Sequence, residues 1–332
     1  MRVGHNPAKS LTTVRKPARI TVVLLTYVPY THGYYAQSLD VFRATLTSLW
    51  RHTPEADVEV LVFDNGSGPE MRAYLLEQHR AGRIHYLILS RENLGVVGAW
   101  NIAFQAAPGQ VIAYADGDVF FRPGWLSESL RILETFPRVG MVTARPFAAA
   151  AELWTATRAW AERDPEAEAE WGRFIPWDVF REFNVGLGQD EAQVRAAYER
   201  LRVLRIRYRG VTAIAGASHW QFVAYKRVLQ EVLPLDYSRP MGSDVRNLDR
   251  ALNERGYLRL MTPKPLVDHM GNTLPPYARA LLGQDAAPTR PARQRSWLAR
   301  WAQRRPFRTA LLWMHDRIFE WLYAPPQEGS DA

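Results

Sequence analysis

Asp116-Gly117-Asp118 closes the apolar run Val111-Ile112-Ala113-Tyr114-Ala115. A buried strand that ends in two carboxylates delivers negative charge to the edge of a sheet, where open α/β sheets form their clefts. Residues two apart on a strand point to the same side, and two like charges that close repel unless a cation sits with them. A hard divalent ion such as Mg2+ or Mn2+, itself carrying a diphosphate, meets that demand. An Asp-Gly turn by itself is also ordinary polar punctuation after a strand, so the neighbouring segments decide between the two readings.

Three further polar clusters follow apolar runs. Thr26-Tyr27 ends Ile20–Leu25, Asp64-Asn65-Gly66-Ser67 ends Val58–Phe63, and Arg91-Glu92-Asn93-Leu94-Gly95 ends Ile84–Leu89. Helices are expected from Leu39 to about His52, from Pro69 to about Ala81 and from Val97 to Ala106, on apolar residues at helical spacing. Strands alternating with helices imply right-handed crossovers and a mostly parallel sheet covered on both faces. All four polar ends then lie on one rim and converge on one site. A site holding Asp64, Asp116 and Asp118 is too acidic to bind phosphate unaided, and a metal bridging carboxylate and diphosphate removes the contradiction. Neither a Gly-Lys-Ser/Thr phosphate loop nor a G-x-G-x-x-G element follows the first strand, which argues against a P-loop NTPase and a dinucleotide oxidoreductase.

This order of motifs, with Asn93-x-Gly95-x-x-Gly98-Ala99-x-Asn101 between the second and fourth strands, resembles the GT-A glycosyltransferases of family 2. The likeness is strong over residues 20–146 and resumes more weakly over 216–271. It implies an α/β, Rossmann-like fold with a mostly parallel central sheet, and an inverting transfer of a sugar from a nucleotide-diphospho-sugar to a hydroxyl acceptor, a glycan or lipid-linked glycan. By the same resemblance Thr26, Tyr27 and Asp64 contact the nucleotide, Asn93 and Gly95 line its pocket, and Asp116 faces the ribose and sugar. Asp118, with Asp116 and His269, holds Mn2+ or Mg2+. His269 also reads as a loop histidine beside Asp268. Asp244, in Ser243-Asp244-Val245, matches the acid that deprotonates the acceptor, although Ser243 replaces the usual first acid and Asp244 stands one residue too far from Gly256-Tyr257. Asp249 is a fallback whose helical position suggests a surface residue. His219 and Trp220, after the small-residue turn Gly216-Ala217-Ser218, border the acceptor.

The remaining sequence divides into a polar N-terminus (1–18), a nucleotide-sugar half (19–146), an acceptor half with a helical insert (147–285) and a basic tail (286–332). Residues 148–207 read as helices with irregular joins, and the acidic stretch Glu162–Glu170 as a solvated helix face. Trp100 is expected in the core. The net charge of +8 lies mostly in the tail, where residues 288–323 hold eight arginines against Asp316 and Glu320. Phe307, Leu311, Met314, Ile318 and Leu322 share one helical face there, which with flanking Trp and Arg suits an anionic membrane surface; the alternative is a helix packed on the domain. The chain has no cysteine, which excludes disulfides and thiolate chemistry and suits a reducing cytosol. With no long apolar stretch and no signal-like N-terminus, a cytoplasmic protein, peripheral at the inner membrane face, is expected. Two other functions compete: a sugar-nucleotide nucleotidyltransferase, which lacks its basic Gly-rich loop here, and a non-enzymatic protein binding membrane or nucleic acid through the tail. Converging acids repel nucleic acid, so no nucleic-acid partner is expected.

Overall fold

The structure, a computed structural model, describes residues 4–54, 57–186, 188–236 and 245–284. The first half alternates as its patterning requires: β1 (Ile20–Thr26), α1 (Ser38–His52), β2 (Val58–Asp64), α2 (Pro69–Arg80), β3 (Tyr86–Leu89), α3 (Gly95–Ala106) and β4 (Val111–Asp116). Every residue of β1 and β2 is buried, as expected of parallel strands covered on both faces. Alternate residues feed two cores. Val22, Leu24, Val60, Val62, Ala113 and Ala115 pack with Phe42, Leu46 and Leu49 of α1. Val23, Leu25, Leu61, Phe63, Ile112 and Tyr114 pack with Trp100 and Phe104 of α3. Trp100 is core, 1% exposed.

Past β4 the chain turns at Gly117-Asp118 into a short β5 (Val119–Phe121), followed by α4 (Trp125–Thr135) and β6 (Val139–Thr143). Then come α5 (Thr155–Ala161), β7 (Ala167–Gly172), α6 (Trp177–Gly186), α7 (Glu191–Glu199), β8 (Val203–Tyr208), β9 (Val211–Ala215), β10 (Gln221–Tyr225) and α8 (Lys226–Gln230). The described chain ends with α9 (Arg246–Glu254), β11 (Leu258–Met261), β12 (Val267–His269) and α10 (Pro276–Leu281). Ten strands form one sheet in the order β3-β2-β1-β4-β10-β6-β11-β9-β8-β7. The strands β3, β2, β1 and β4 run parallel, as does β11 beside β6. Strand β10 enters antiparallel between β4 and β6, so the two halves expected on either side of residue 146 share a single sheet. The α/β class holds.

The insert departs from its all-helical reading. Glu162–Glu170 is not a helix face: β7 occupies its second half, antiparallel to β8. The reason lies in a period of two. Glu166, Glu168 and Glu170 alternate with Ala167, Ala169 and Trp171, and each glutamate meets an arginine across the ladder, Arg209, Arg207 and Arg205 respectively. Helices α6 and α7 build a small core of their own around Ile175, Val179, Phe180 and Val194. Residues 1–283 form one compact unit. The tail, 286–332, lies outside the described residues. Among the described residues no helix is long and apolar enough to cross a membrane.

Candidate functional site

Strand register sets the rim. Thr26 lies opposite Asp64, and Leu25 lies opposite Asp116, so β1, β2 and β4 end level with one another. Above them opens a cavity of about 490 Å3, lined among others by Thr26, Tyr27, Asn65, Asn93, Asp116 and Asp118. Thr26, Tyr27, Asn93, Asp116 and Asp118, all expected at the site, therefore face one space, whereas Gly95, His219, Trp220 and His269 are not among its lining.

Asp64 does not face it either. It is fully buried and forms no part of the cavity wall. One carboxylate oxygen accepts from the backbone N–H of Ser67 at 3.0 Å and the other from Arg72 Nε at 3.2 Å. Arg72 also donates to the carbonyl of Ser90, so Asp64 closes the turn after β2 and ties it to the end of β3. The residue that reaches the cavity is its neighbour Asn65, which sequence reasoning left inside the motif unassigned. Asn65 Nδ2 donates to Asn93 Oδ1 and to the carbonyl of Gly95, and its Oδ1 accepts from the N–H of Leu94. Asn93 Oδ1 also accepts from the N–H of Gly95 at the start of α3. One amide thus clasps the whole Asn93–Gly95 turn. The clasp needs Gly66: its φ is +92°, and a Cβ there would sit 2.8 Å from the carbonyl carbon of Glu92, a position only glycine fills without strain.

The opposite wall is aromatic. Tyr35 packs edge-on against Tyr27, Tyr30 and Tyr34, with centroids 6.0, 5.2 and 5.1 Å away. The segment between β12 and α10 is bonded to this tyrosine loop: Asn272 Nδ2 donates to the carbonyl of Tyr34, and Gln37 Oε1 accepts from the N–H of Leu274.

The two aspartates do not point to one place. Asp116 Oδ1 accepts from the hydroxyl of Tyr114 at 2.5 Å, on the α3 side of the sheet. Asp118 belongs to the turn after β4, and its Oδ2 lies 3.4 Å from His269 Nε2. Strand pairing brings those two together, since Val119 of β5 lies opposite His269 of β12 and the carbonyl of Asp118 accepts from the N–H of Met270. Asp268, beside His269, is buried between Arg145 and Arg122 and anchors β12. Desolvation, then the charge of Asp118, pushes the Asp116 carboxyl up to about 6. Desolvation also raises Asp118, against the pull of His269.

Of the expected metal set, Asp118 and His269 meet, whereas Asp116 is held off by Tyr114; among the described residues no three such groups converge. The donor chemistry still fits a divalent cation. Asp118 Oδ1 is buried without a hydrogen-bond partner among the described residues, which costs free energy unless something positive binds it. An imidazole nitrogen stands beside it.

Asp244 lies outside the described residues. The fallback, Asp249, is not at the surface: α9 buries Leu248, Asp249 and Leu252 on one face. One Asp249 oxygen accepts from Arg259 Nη2 at 2.5 Å and the other from His219 Nδ1 at 2.7 Å. An acid engaged on both oxygens is poorly placed to take a proton from an acceptor. Trp220 is buried, edge-on to His269 at 5.6 Å. His219 faces the other side, 6.0 Å from the ring of Trp100.

The model of glycosyl transferase family 2 matches residues 34–181. An uncharacterized glycosyltransferase of Nostoc sp. is 28% identical over 87 residues, 26% of this chain and 27% of that protein. The chain thus spans about a quarter of the length of this curated relative. Among solved structures, it is similar to the mannosyltransferase PcManGT from Pyrobaculum calidifontis in complex with GDP-Man and Mn2+, at 18% identity and a TM-score of 0.44, covering 75% of this chain and 56% of that one. It is also similar to GalNAc-T7 with UDP, GalNAc and Mn2+, at 15% identity and a TM-score of 0.45, covering 76% and 44%. The matched segment, under half of the chain, contains Asn65, Asn93, Asp116 and Asp118, and over it this chain is similar to glycosyl transferase family 2.

Proposed function

We propose that this protein is an inverting, metal-dependent glycosyltransferase that moves a sugar from a nucleotide-diphospho-sugar to a hydroxyl of a glycan or lipid-linked glycan. The observation that carries the reading is the unpartnered, buried Oδ1 of Asp118, beside His269 and in one cavity with Asp116, Thr26 and the tyrosines. Asp118 and His269 would hold a divalent ion, Mn2+ or Mg2+, with Asp116 adding charge nearby. When bound, such an ion supplies Lewis-acid stabilisation of the departing diphosphate.

The chain's own groups do the rest. Tyr27, Tyr34 and Tyr35 offer aromatic faces and hydroxyls to the nucleoside. Thr26 and Asn93 offer polar contacts at the cavity floor. The acceptor oxygen attacks the anomeric carbon, the bond from that carbon to the diphosphate oxygen breaks, and the leaving nucleoside diphosphate keeps the electron pair. Asp244, two residues before α9, takes the hydroxyl proton. His219 and Trp220 flank the acceptor side. The protein works in the cytoplasm, and its basic, aromatic tail (288–323) brings it to an anionic membrane where a lipid-linked acceptor would lie.

Melting curves with UDP- and GDP-sugars, each with and without Mn2+, test the donor and metal together, since a ligand that binds the native state raises its melting temperature. One nucleotide-sugar is expected to shift the wild-type chain only with Mn2+. Asp118→Ala should abolish that shift and turnover. Asp244→Asn should keep the shift and lose about 10²–10⁴-fold in rate. A Mn2+-dependent shift that survives intact in Asp118→Ala removes the metal assignment.

A further inference from the structure

The reaction outlined above sets His219 on the acceptor side but gives no purpose to its pairing with Asp249. Asp249 is 3% exposed and His219 24%, so the carboxylate is sealed in while the ring reaches the surface. A carboxylate only accepts hydrogen bonds. The oxygen of Asp249 that lies 2.7 Å from His219 Nδ1 therefore requires the proton to sit on Nδ1. The other oxygen is held by Arg259 Nη2, which also donates to the carbonyl of Ala217, two residues before His219. Arg259 is itself fully buried. Carboxylate, guanidinium and backbone thus set the tilt of the ring and, in the neutral imidazole, its tautomer, in which Nε2 carries the acceptor lone pair. Nε2 makes no hydrogen bond with any described residue.

The turn that carries the ring is tied to the strand that ends at Asp116. The N–H of Asp116 donates to the carbonyl of Trp220 at 2.9 Å, which pins the 219–220 turn to the end of β4. Asp116 leans to the α3 side through Tyr114, and His219 contacts Trp100 of α3 on that same side.

We propose that His219 binds a sugar hydroxyl through Nε2, and that Asp249 and Arg259 are positioning residues that present it in the accepting tautomer. The proposal rests on the glycosyltransferase reading and adds to it a specific contact to the transferred or receiving sugar. The hydroxyl belongs either to the donor sugar or to the acceptor, and the two sources separate by experiment.

Three chains are compared: wild type, His219→Gln, whose amide oxygen can stand in for Nε2, and His219→Phe, which keeps the ring shape alone. Affinities for UDP, GDP, UDP-glucose, UDP-N-acetylglucosamine and GDP-mannose are measured with Mn2+. Transfer is measured to octyl glucoside and octyl mannoside. One hydrogen bond to a hydroxyl corresponds to a loss of about 10-fold. If the donor sugar is the partner, His219→Phe weakens the nucleotide-sugar by that factor and leaves the bare nucleotide unchanged. If the acceptor is the partner, donor affinity is unchanged and the KM for the octyl glycoside rises by that factor. In either case His219→Gln recovers most of the loss, which a merely structural role would not produce. Nitrogen-15 NMR of histidine-labelled wild type is expected to show His219 as the Nδ1–H tautomer. An Nε2–H tautomer, or a His219→Phe chain equal to wild type in every affinity and KM, overturns the assignment while the donor reading stands. A wild-type chain that binds none of these nucleotides defeats the donor reading and this inference with it.

Discussion

Asp116 is where charge and burial conflict most directly. Its carboxyl is pushed up to about 6 by desolvation and by Asp118, above the ordinary value of 3.8, so the folded chain binds a proton that the unfolded chain has already released. Between about pH 4 and pH 6 the native state therefore holds more protons, and stability falls as pH rises through that window. Above it the cost is fully present, on the order of 3 kcal/mol. The metal-free protein is expected to melt higher at pH 5 than at pH 7, and Asp116→Asn should flatten that slope; an unchanged slope in the variant places the burden elsewhere. Protonation also competes with a cation, so Mn2+ affinity should drop as pH falls below about 6. The hydrogen bond from Tyr114 works the other way, favouring the charged form. Asp118 has no such donor on Oδ1 among the described residues.

At the scale of elements, the loops after β2 and β3 act as one piece because Asn65 and Asn93 are interlocked. Gly66 makes the interlock possible, and its replacement tests it. In Gly66→Ala the new methyl meets the backbone at Glu92 and Asn93, neither of which is a flexible side chain that could swing away. Urea unfolding is expected to show a loss of about 1–3 kcal/mol, and donor affinity should fall with it as Asn93 shifts. A neutral result would mean that the two loops move independently. The pairing of β5 with β12 does for Asp118 and His269 what this interlock does for Asn93: a residue distant in sequence is held against the rim by backbone hydrogen bonds. In both cases the side chain with the chemistry is short, and the element behind it supplies the placement.

For the whole molecule, the charge distribution separates two jobs. Residues 1–283 form one compact unit that contains the whole described cavity, while the arginines of residues 288–323 carry most of the net charge. Deleting 288–332 is expected to leave the Mn2+-dependent melting shift intact and to abolish co-sedimentation with vesicles containing phosphatidylserine. Binding to neutral vesicles should be weak for both chains, and binding to anionic ones should fade with salt. Undiminished sedimentation of the truncated chain would move membrane contact onto the 1–283 unit.

The sequence by itself determined the α/β alternation of residues 20–116 and the convergence of Thr26, Asn93, Asp116 and Asp118 on one rim. Apolar runs closing in polar turns are a local signal, and parallel pairing makes strand ends coincide. It misread Glu162–Glu170, where a short period-two pattern was masked by helix-forming residue types, and it placed Asp249 at the surface, where a buried arginine from β11 holds it inside. Tertiary structure alone decided that Asp64 closes a turn while Asn65 reaches the cavity, that Asp116 and Asp118 diverge, and that His219 stands on Asp249. Each of those depends on which group supplies the nearest hydrogen bond, from two residues away for Asp116 and Tyr114 to 30 for His219 and Asp249, and the periodicity of strands and helices does not specify that choice.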